Sequence, residues 1–163
     1  MPIGEHYLYP GHIFAHPEPH LVTTVLGSCV SVCMWDPVRK MGGINHFMLP
    51  LWNGEGLASP RYGMVAIPRL IEIMLELGSR RQNLVCKVFG GGDILRVTNG
   101  IMNVGQRNVD FAMQALAEER IPITAYDVRG PQGRKIIFNT GAGTVLMKKL
   151  KQVTESLDMA ALD

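Results

Sequence analysis

The sequence predicts an α+β domain. Segments rich in β-branched residues crowd the first third of the chain, two amphipathic helical segments divide the remainder, and a second hairpin pattern follows them. Strands and helices do not alternate as a regular βαβ repeat would require. At 163 residues and 47% hydrophobic content, the chain has the size and composition of a single domain, residues 1–163, with a full core.

Residues 1–20 read as irregular, because Pro2, Pro10, Gly11, Pro17 and Pro19 interrupt any regular pattern. Leu21-Val22-Thr23-Thr24-Val25-Leu26 is a strand that runs into a Gly27-Ser28 turn. Ser31 to Trp35 and Gly43 to Leu49 form a hairpin around Asp36-Pro37-Val38-Arg39, whose Asp and Pro suit a type I turn. Asn53-Gly54-Glu55-Gly56 is a loop. A helix runs from about Tyr62 to Leu77, with Ile67, Leu70, Ile71, Met74 and Leu75 near the helical period and Gly78 as its stop. Pro68 suits a first turn, which places the start of the helix proper there. Asn83 to Phe89 is a short strand ending in Gly90-Gly91-Gly92-Asp93. The second helix runs from Gly105 or Arg107 to Arg120, with Val109, Met113, Leu116 and Ala117 turned to the core. Ile121 to Val128 is a strand, Gly130-Pro131-Gln132-Gly133 a turn, and Lys135 to Phe138 with Gly143 to Met147 a second hairpin. The tail from about residue 151 to 163 is expected to be frayed or a short helix.

The net charge of +2 is small and its cations are scattered, apart from Arg80-Arg81 and Lys148-Lys149-Leu150-Lys151. No basic stripe with interleaved aromatics is present, so nucleic acid is not an expected partner. No segment approaches the roughly 20 apolar residues of a membrane span, and the N-terminus lacks a signal-peptide pattern. Three cysteines without a CxxC do not make a disulfide framework. The expected location is the reducing cytoplasm, where a thiol stays free.

That thiol chemistry centres on Leu26-Gly27-Ser28-Cys29-Val30, with His46 seventeen residues after Cys29. If Asp36 pairs opposite Arg39, Cys29 falls opposite His46, with Cβ atoms roughly 4.5–5.5 Å apart. A bulge at the turn would instead make the pair diagonal. A thiol beside an imidazole is the minimal unit of a cysteine nucleophile. Cysteine is more often a small buried hydrophobe, a role that fits Cys33 and Cys86 inside apolar strands. Cys29 differs in following Gly27-Ser28 at a strand boundary, where backbone N–H groups can gather near an oxyanion. His46 is the only histidine beyond the first twenty residues. His12, His16 and His20 have the spacing of a helical metal face, but Pro10, Pro17 and Pro19 argue against a helix, so no metal site is expected. Gly90-Gly91-Gly92-Asp93 fits neither a P-loop nor GxGxxG, and reads as a tight turn or cleft lining. Asp93 is open as a triad acid or a backbone cap.

Several separated motifs now fall into one order. Thr23-x-x-Leu26-Gly27-Ser28-Cys29-Val30, Asp36-Pro37 and Gly43-x-x-His46-x-x-Leu49-Pro50 come first. Arg61-Tyr62, Lys87-x-Phe89-Gly90-Gly91, Gly105-x-Arg107-Asn108, Gly133-Arg134-Lys135, Phe138 and Thr140-Gly141 follow. From about Gly4 to Leu150 the chain resembles the CheD family, the chemoreceptor glutamine deamidases of chemotaxis. The resemblance implies β-layers packed with two main helices, related to the toxin-type cysteine deamidases. It implies a Cys29 nucleophile, a His46 base and Thr23, six residues before the cysteine, as third member acting by hydroxyl or backbone, with Gly27 and Ser28 supporting the oxyanion and no cofactor. Pairing with His46 is expected to favour a thiolate–imidazolium pair. The implied partners are cytoplasmic domains of chemoreceptors and a CheC-type phosphatase, whose patch is sought around Val104–Phe111 with Met102. The alternative is a non-enzymatic adaptor that regulates the phosphatase. A cysteine peptidase, a transglutaminase or a small-molecule amidase could use the same pair, although no papain-like or caspase-like signature surrounds Cys29.

Overall fold

Residues 2–94 and 103–151 are described by a computed structural model. The elements, in chain order, are β1 (Gly4–Tyr7), β2 (Ile13–His16), β3 (His20–Leu26), β4 (Val30–Asp36), β5 (Met41–Asn45), α1 (Gly63–Glu76), β6 (Val85–Gly90), α2 (Val104–Glu118), β7 (Ile123–Val128), β8 (Arg134–Asn139) and β9 (Val145–Lys149). One sheet has the order β1-β3-β8-β9, the other β2-β5-β4-β6-β7.

Burial pattern explains the layering. In β3, Val22, Thr24 and Leu26 are buried while Thr23 and Val25 are not, so one face of the first sheet meets protein. Val22, Leu26, Ile136 and Phe138 from that face pack on Cys33, Ile44 and Phe89 of the second sheet. The central strand β4 is apolar on both faces, as expected for a strand covered from both sides. Its other face carries Val30, Val32 and Met34 against Ile67, Leu70 and Met74 of α1 and Val109, Ala112 and Leu116 of α2. The result is sheet on sheet on helices, an α+β arrangement with two main helices.

Three local expectations need correcting. The first twenty residues are not wholly irregular: β1 pairs parallel to β3, and β2 pairs antiparallel to β5. Their prolines fall outside these short edge strands, where no ladder N–H is lost. Helix α1 begins at Gly63, so Pro68 sits inside it. Pro68 is solvent-facing, which leaves water to satisfy the carbonyl that its missing N–H would have served. In α2, Ala117 is exposed and Ala112 is the buried alanine. Strands β6 and β7 are parallel with α2 between them, so a single βαβ unit does occur. Residues of the expected tail beyond Lys151, and Met102, lie outside the described residues.

Candidate active site

The hairpin of β4 and β5 sets the site, with a register two residues longer than the type I turn implies. Asp36 pairs with Met41 rather than Arg39. Asp36 Oδ1 accepts the N–H groups of Val38 (2.9 Å) and Arg39 (3.1 Å), and Lys40 turns the chain at φ 53°. A side chain that caps its own turn with a left-handed residue at the end makes a wider loop than two residues allow. Beyond the regular ladder, Val30 and Phe47 form an antiparallel bridge, with Val30 N–H to Phe47 O at 3.1 Å and Phe47 N–H to Val30 O at 3.0 Å. A shift of two preserves the face of every side chain. Cys29 and His46, which flank that bridge, therefore fall on one face at diagonal rather than directly opposite positions, a relation that regular strands space at about 7–8 Å.

The imidazole is held from one side only. His46 Nδ1 and the Thr24 hydroxyl are 2.8 Å apart, and that hydroxyl donates to the Leu8 carbonyl at 2.8 Å. A hydroxyl has one proton, and a carbonyl can only accept. The proton between the ring and Thr24 therefore belongs to Nδ1, and Nε2 carries the lone pair. Nε2 is buried and has no hydrogen-bond partner among the described residues. The backbone carbonyl of His46 accepts from Gly11 N–H at 2.8 Å. Next to it, Asn45 accepts from Val32 N–H at 2.8 Å and donates to Ala66 O at 3.1 Å, tying this end of β5 to β4 and α1.

Thr23, expected at this position, is one residue out of phase. Strand alternation turns it to the opposite face of β3, where it lines a surface depression with Glu5, Tyr7, Lys135 and Ile137. Its carbonyl is taken by Leu8 N–H at 2.8 Å. Counting back from the cysteine selects Thr23; the two-residue period of the strand selects Thr24.

The Cys29 loop is backed by glycine. Gly91 N–H donates to Cys29 O at 2.8 Å and Gly92 N–H to Gly27 O at 2.9 Å. Gly90 and Gly91 have φ of 111° and 69°. A Cβ at Gly90 would run into the Cys29 carbonyl, and one at Gly91 into Val109. The glycine run thus lines the back of the cysteine loop, one of the two readings its sequence allowed. Gly27 needs no left-handed backbone, but a Cβ there would meet Ile94 Cγ1 at 3.2 Å. Buried Asn108 of α2 donates from Nδ2 to Ser28 O at 2.9 Å and to Met48 O at 3.0 Å. Sequence reasoning included Asn108 in a motif without giving it a role; its polar side chain on the buried stripe of an amphipathic helix was the available signal.

Burial governs both reactive groups. It pushes the half-buried Cys29 thiol up, partly offset by the residue's own backbone N–H, and pushes His46 down to about 4. Both shifts favour neutral forms, opposite to the ion pair expected. Cys33 and Cys86 are buried free thiols, with burial raising both. His16 and His20 lie on strands with ring centroids 4.6 Å apart, and among the described residues no group of His, Cys, Asp or Glu is arranged to hold a metal. In the region first considered as a partner patch, Val109 is core and Phe111 packs against it, 2.9 Å from where a Cβ on Gly63 would sit.

A family model described as CheD chemotactic sensory transduction matches residues 48–149. A probable chemoreceptor glutamine deamidase CheD of Trichlorobacter lovleyi is 50% identical over 151 residues, covering 93% of this chain and 94% of the relative. The chain belongs to the CheD family. Another CheD relative, from Sulfurimonas denitrificans, is 41% identical over 154 residues, covering 93% of this chain and 98% of its own. A third, from Anaeromyxobacter dehalogenans, is 46% identical over 144 residues, with 88% and 84% covered. Both relatives are likewise named probable chemoreceptor glutamine deamidases. The CheD model match begins two residues after His46 and includes neither Cys29 nor His46. No helix among the described residues is long and apolar enough to cross a membrane.

Proposed function

We propose that the chain is a cytoplasmic protein-glutamine deamidase acting on chemoreceptors, with Cys29 as nucleophile, His46 as base and Thr24 orienting the imidazole. The observation that carries this reading is the one-sided grip on His46. Leu8 O and Thr24 Oγ1 fix the proton on Nδ1, leaving a buried, unpartnered Nε2 on the face that Cys29 shares. A base with its lone pair exposed only to the site is suited to general acid–base work. The kinship with relatives named as chemoreceptor glutamine deamidases supplies the substrate class.

The reaction starts from the neutral pair. The Cys29 S–H proton passes to Nε2 as Sγ attacks the glutamine carboxamide carbon. The resulting oxyanion takes hydrogen bonds from backbone N–H groups at Ser28 and Cys29. As the tetrahedral intermediate collapses, the imidazolium returns its proton to the amine, so ammonia rather than amide anion leaves. Water then attacks the thioester while Nε2 accepts its proton; the proton finally restores the thiol, and glutamate departs. Thr24 accepts the Nδ1 hydrogen bond throughout and keeps the ring in plane. We further propose that this cysteine loop on layered sheets is shared with the toxin-type cysteine deamidases.

A cysteine peptidase would use the same pair, so the test must follow the leaving group. Incubation with a glutamine-bearing receptor cytoplasmic domain should release ammonia in proportion to new glutamate and leave the polypeptide length unchanged. Cleaved backbone without free ammonia would overturn the deamidase reading.

A further inference from the structure

Three consecutive carbonyls around the cysteine are each pinned by a different donor. Gly27 O takes Gly92 N–H at 2.9 Å, Ser28 O takes Asn108 Nδ2 at 2.9 Å, and Cys29 O takes Gly91 N–H at 2.8 Å. In a trans peptide the C=O and the following N–H point in opposite directions. No cis peptide bond is present among the described residues. Each pinned carbonyl therefore aims the next amide proton. The Gly27 and Cys29 carbonyls are held by backbone, which side-chain change does not remove. Among the described residues Ser28 O is held by a side chain alone, and the amide it aims is the Cys29 N–H.

Asn108 is built for that task. It is fully buried, and both of its acceptors are carbonyls, so the atom that faces them is the nitrogen. Its second bond, to Met48 O, ties the same amide to the segment that follows His46. This geometry leaves Oδ1 buried without a partner. A group that sacrifices its own acceptor to supply two donors is placed for those donors.

Resting on the deamidase reading above, we propose that Asn108 is a positioning residue that aims the Cys29 N–H at the developing oxyanion. Asp at this position is nearly isosteric but offers an acceptor where both carbonyls need a donor. The peptide plane between Ser28 and Cys29 then turns away, and the oxyanion loses one of its two donors. Loss of one such donor costs about 100-fold or more in turnover. Alkylation of Cys29 by iodoacetamide forms no oxyanion, so it separates aim from general damage to the site.

The experiment compares wild type with Asn108→Asp, reading deamidation kcat and KM, iodoacetamide alkylation of Cys29, and thermal midpoint. The expected result is a fall in kcat of about 100-fold, with KM and the alkylation rate each within about threefold of wild type. Asn108→Ser, smaller and able to keep one donor, carries the same comparison where Asn108→Asp does not fold, with an intermediate loss of kcat and the same unchanged alkylation. Near-wild-type kcat in a folded variant, or kcat and alkylation falling together, would overturn the assignment of Asn108 alone. A wild-type protein without deamidation would overturn the reading beneath it as well.

Discussion

At the scale of single residues, the proposed site pairs a thiol and an imidazole that burial keeps neutral, with the Nδ1 proton directed at Thr24. Thr24→Val keeps the shape and removes the acceptor for Nδ1–H, so we expect turnover to fall at least about tenfold, within the usual reach of acid–base catalysis. Thr23→Val, on the far face of β3, should stay within about threefold of wild type; the two rates reversed would return the role to Thr23. Because burial holds His46 near 4, the base stays neutral well below its ordinary range. The acid limb of kcat/KM is therefore expected near pH 4–5, and a limb near the ordinary histidine value of about 6.5 would contradict that. For the same reason Cys29 alkylation should remain slow through neutral pH and rise only above the ordinary thiol range of about 8.5. A reactive plateau at pH 6–7 would signal the ion pair instead. Cys29 and His46, whose joint role is the proposal above, were legible as candidates because residue type and a strand boundary mark them. Thr24 was not, since two adjacent threonines differ only in the face they take, and that phase is set by pairing with β8.

Among the elements, long periodic segments were readable and short or context-dependent ones were not. Helix α1 and helix α2 follow directly from apolar spacing. Strands β1 and β2 have four residues each, too few to show a period, and exist because β3 and β5 offer them edges. Asp36 and Pro37 suit a type I turn between β4 and β5, but the hydrogen bonds of the Asp36 carboxylate and the left-handed Lys40 decide its length. The glycine run after β6 is a test at this scale. Gly91→Ala would force a Cβ against Val109 in a left-handed backbone. We expect a loss of about 2 kcal/mol or more, read as a lower urea midpoint, together with lost activity from a displaced Cys29 loop. A Gly91→Ala protein with wild-type midpoint and turnover would remove the glycine run from the account.

For the whole molecule, the three-layer frame matters because it buries His46, the proposed base. His46 lies between the sheet that carries Thr24 and the one that carries Asn45, at 1% exposure. Its folded value of about 4 lies below the ordinary 6.5, so the unfolded chain binds a proton that the folded chain refuses. Stability is then full above pH 6.5 and falls as pH drops from about 6.5 to 4, by up to roughly 3 kcal/mol. His46→Gln should flatten this part of the urea-midpoint profile, and an unchanged acid slope would place the titration elsewhere. The layering itself was legible only as fold class, because which sheet faces which depends on pairings distant in sequence, such as β3 with β8.

The central claim, deamidation through Cys29, is tested most directly by intact-mass spectrometry of a chemoreceptor cytoplasmic domain incubated with wild type and with Cys29→Ala. The account predicts a gain of about one mass unit per modified glutamine with wild type and none with Cys29→Ala. The same gain with both proteins would contradict it.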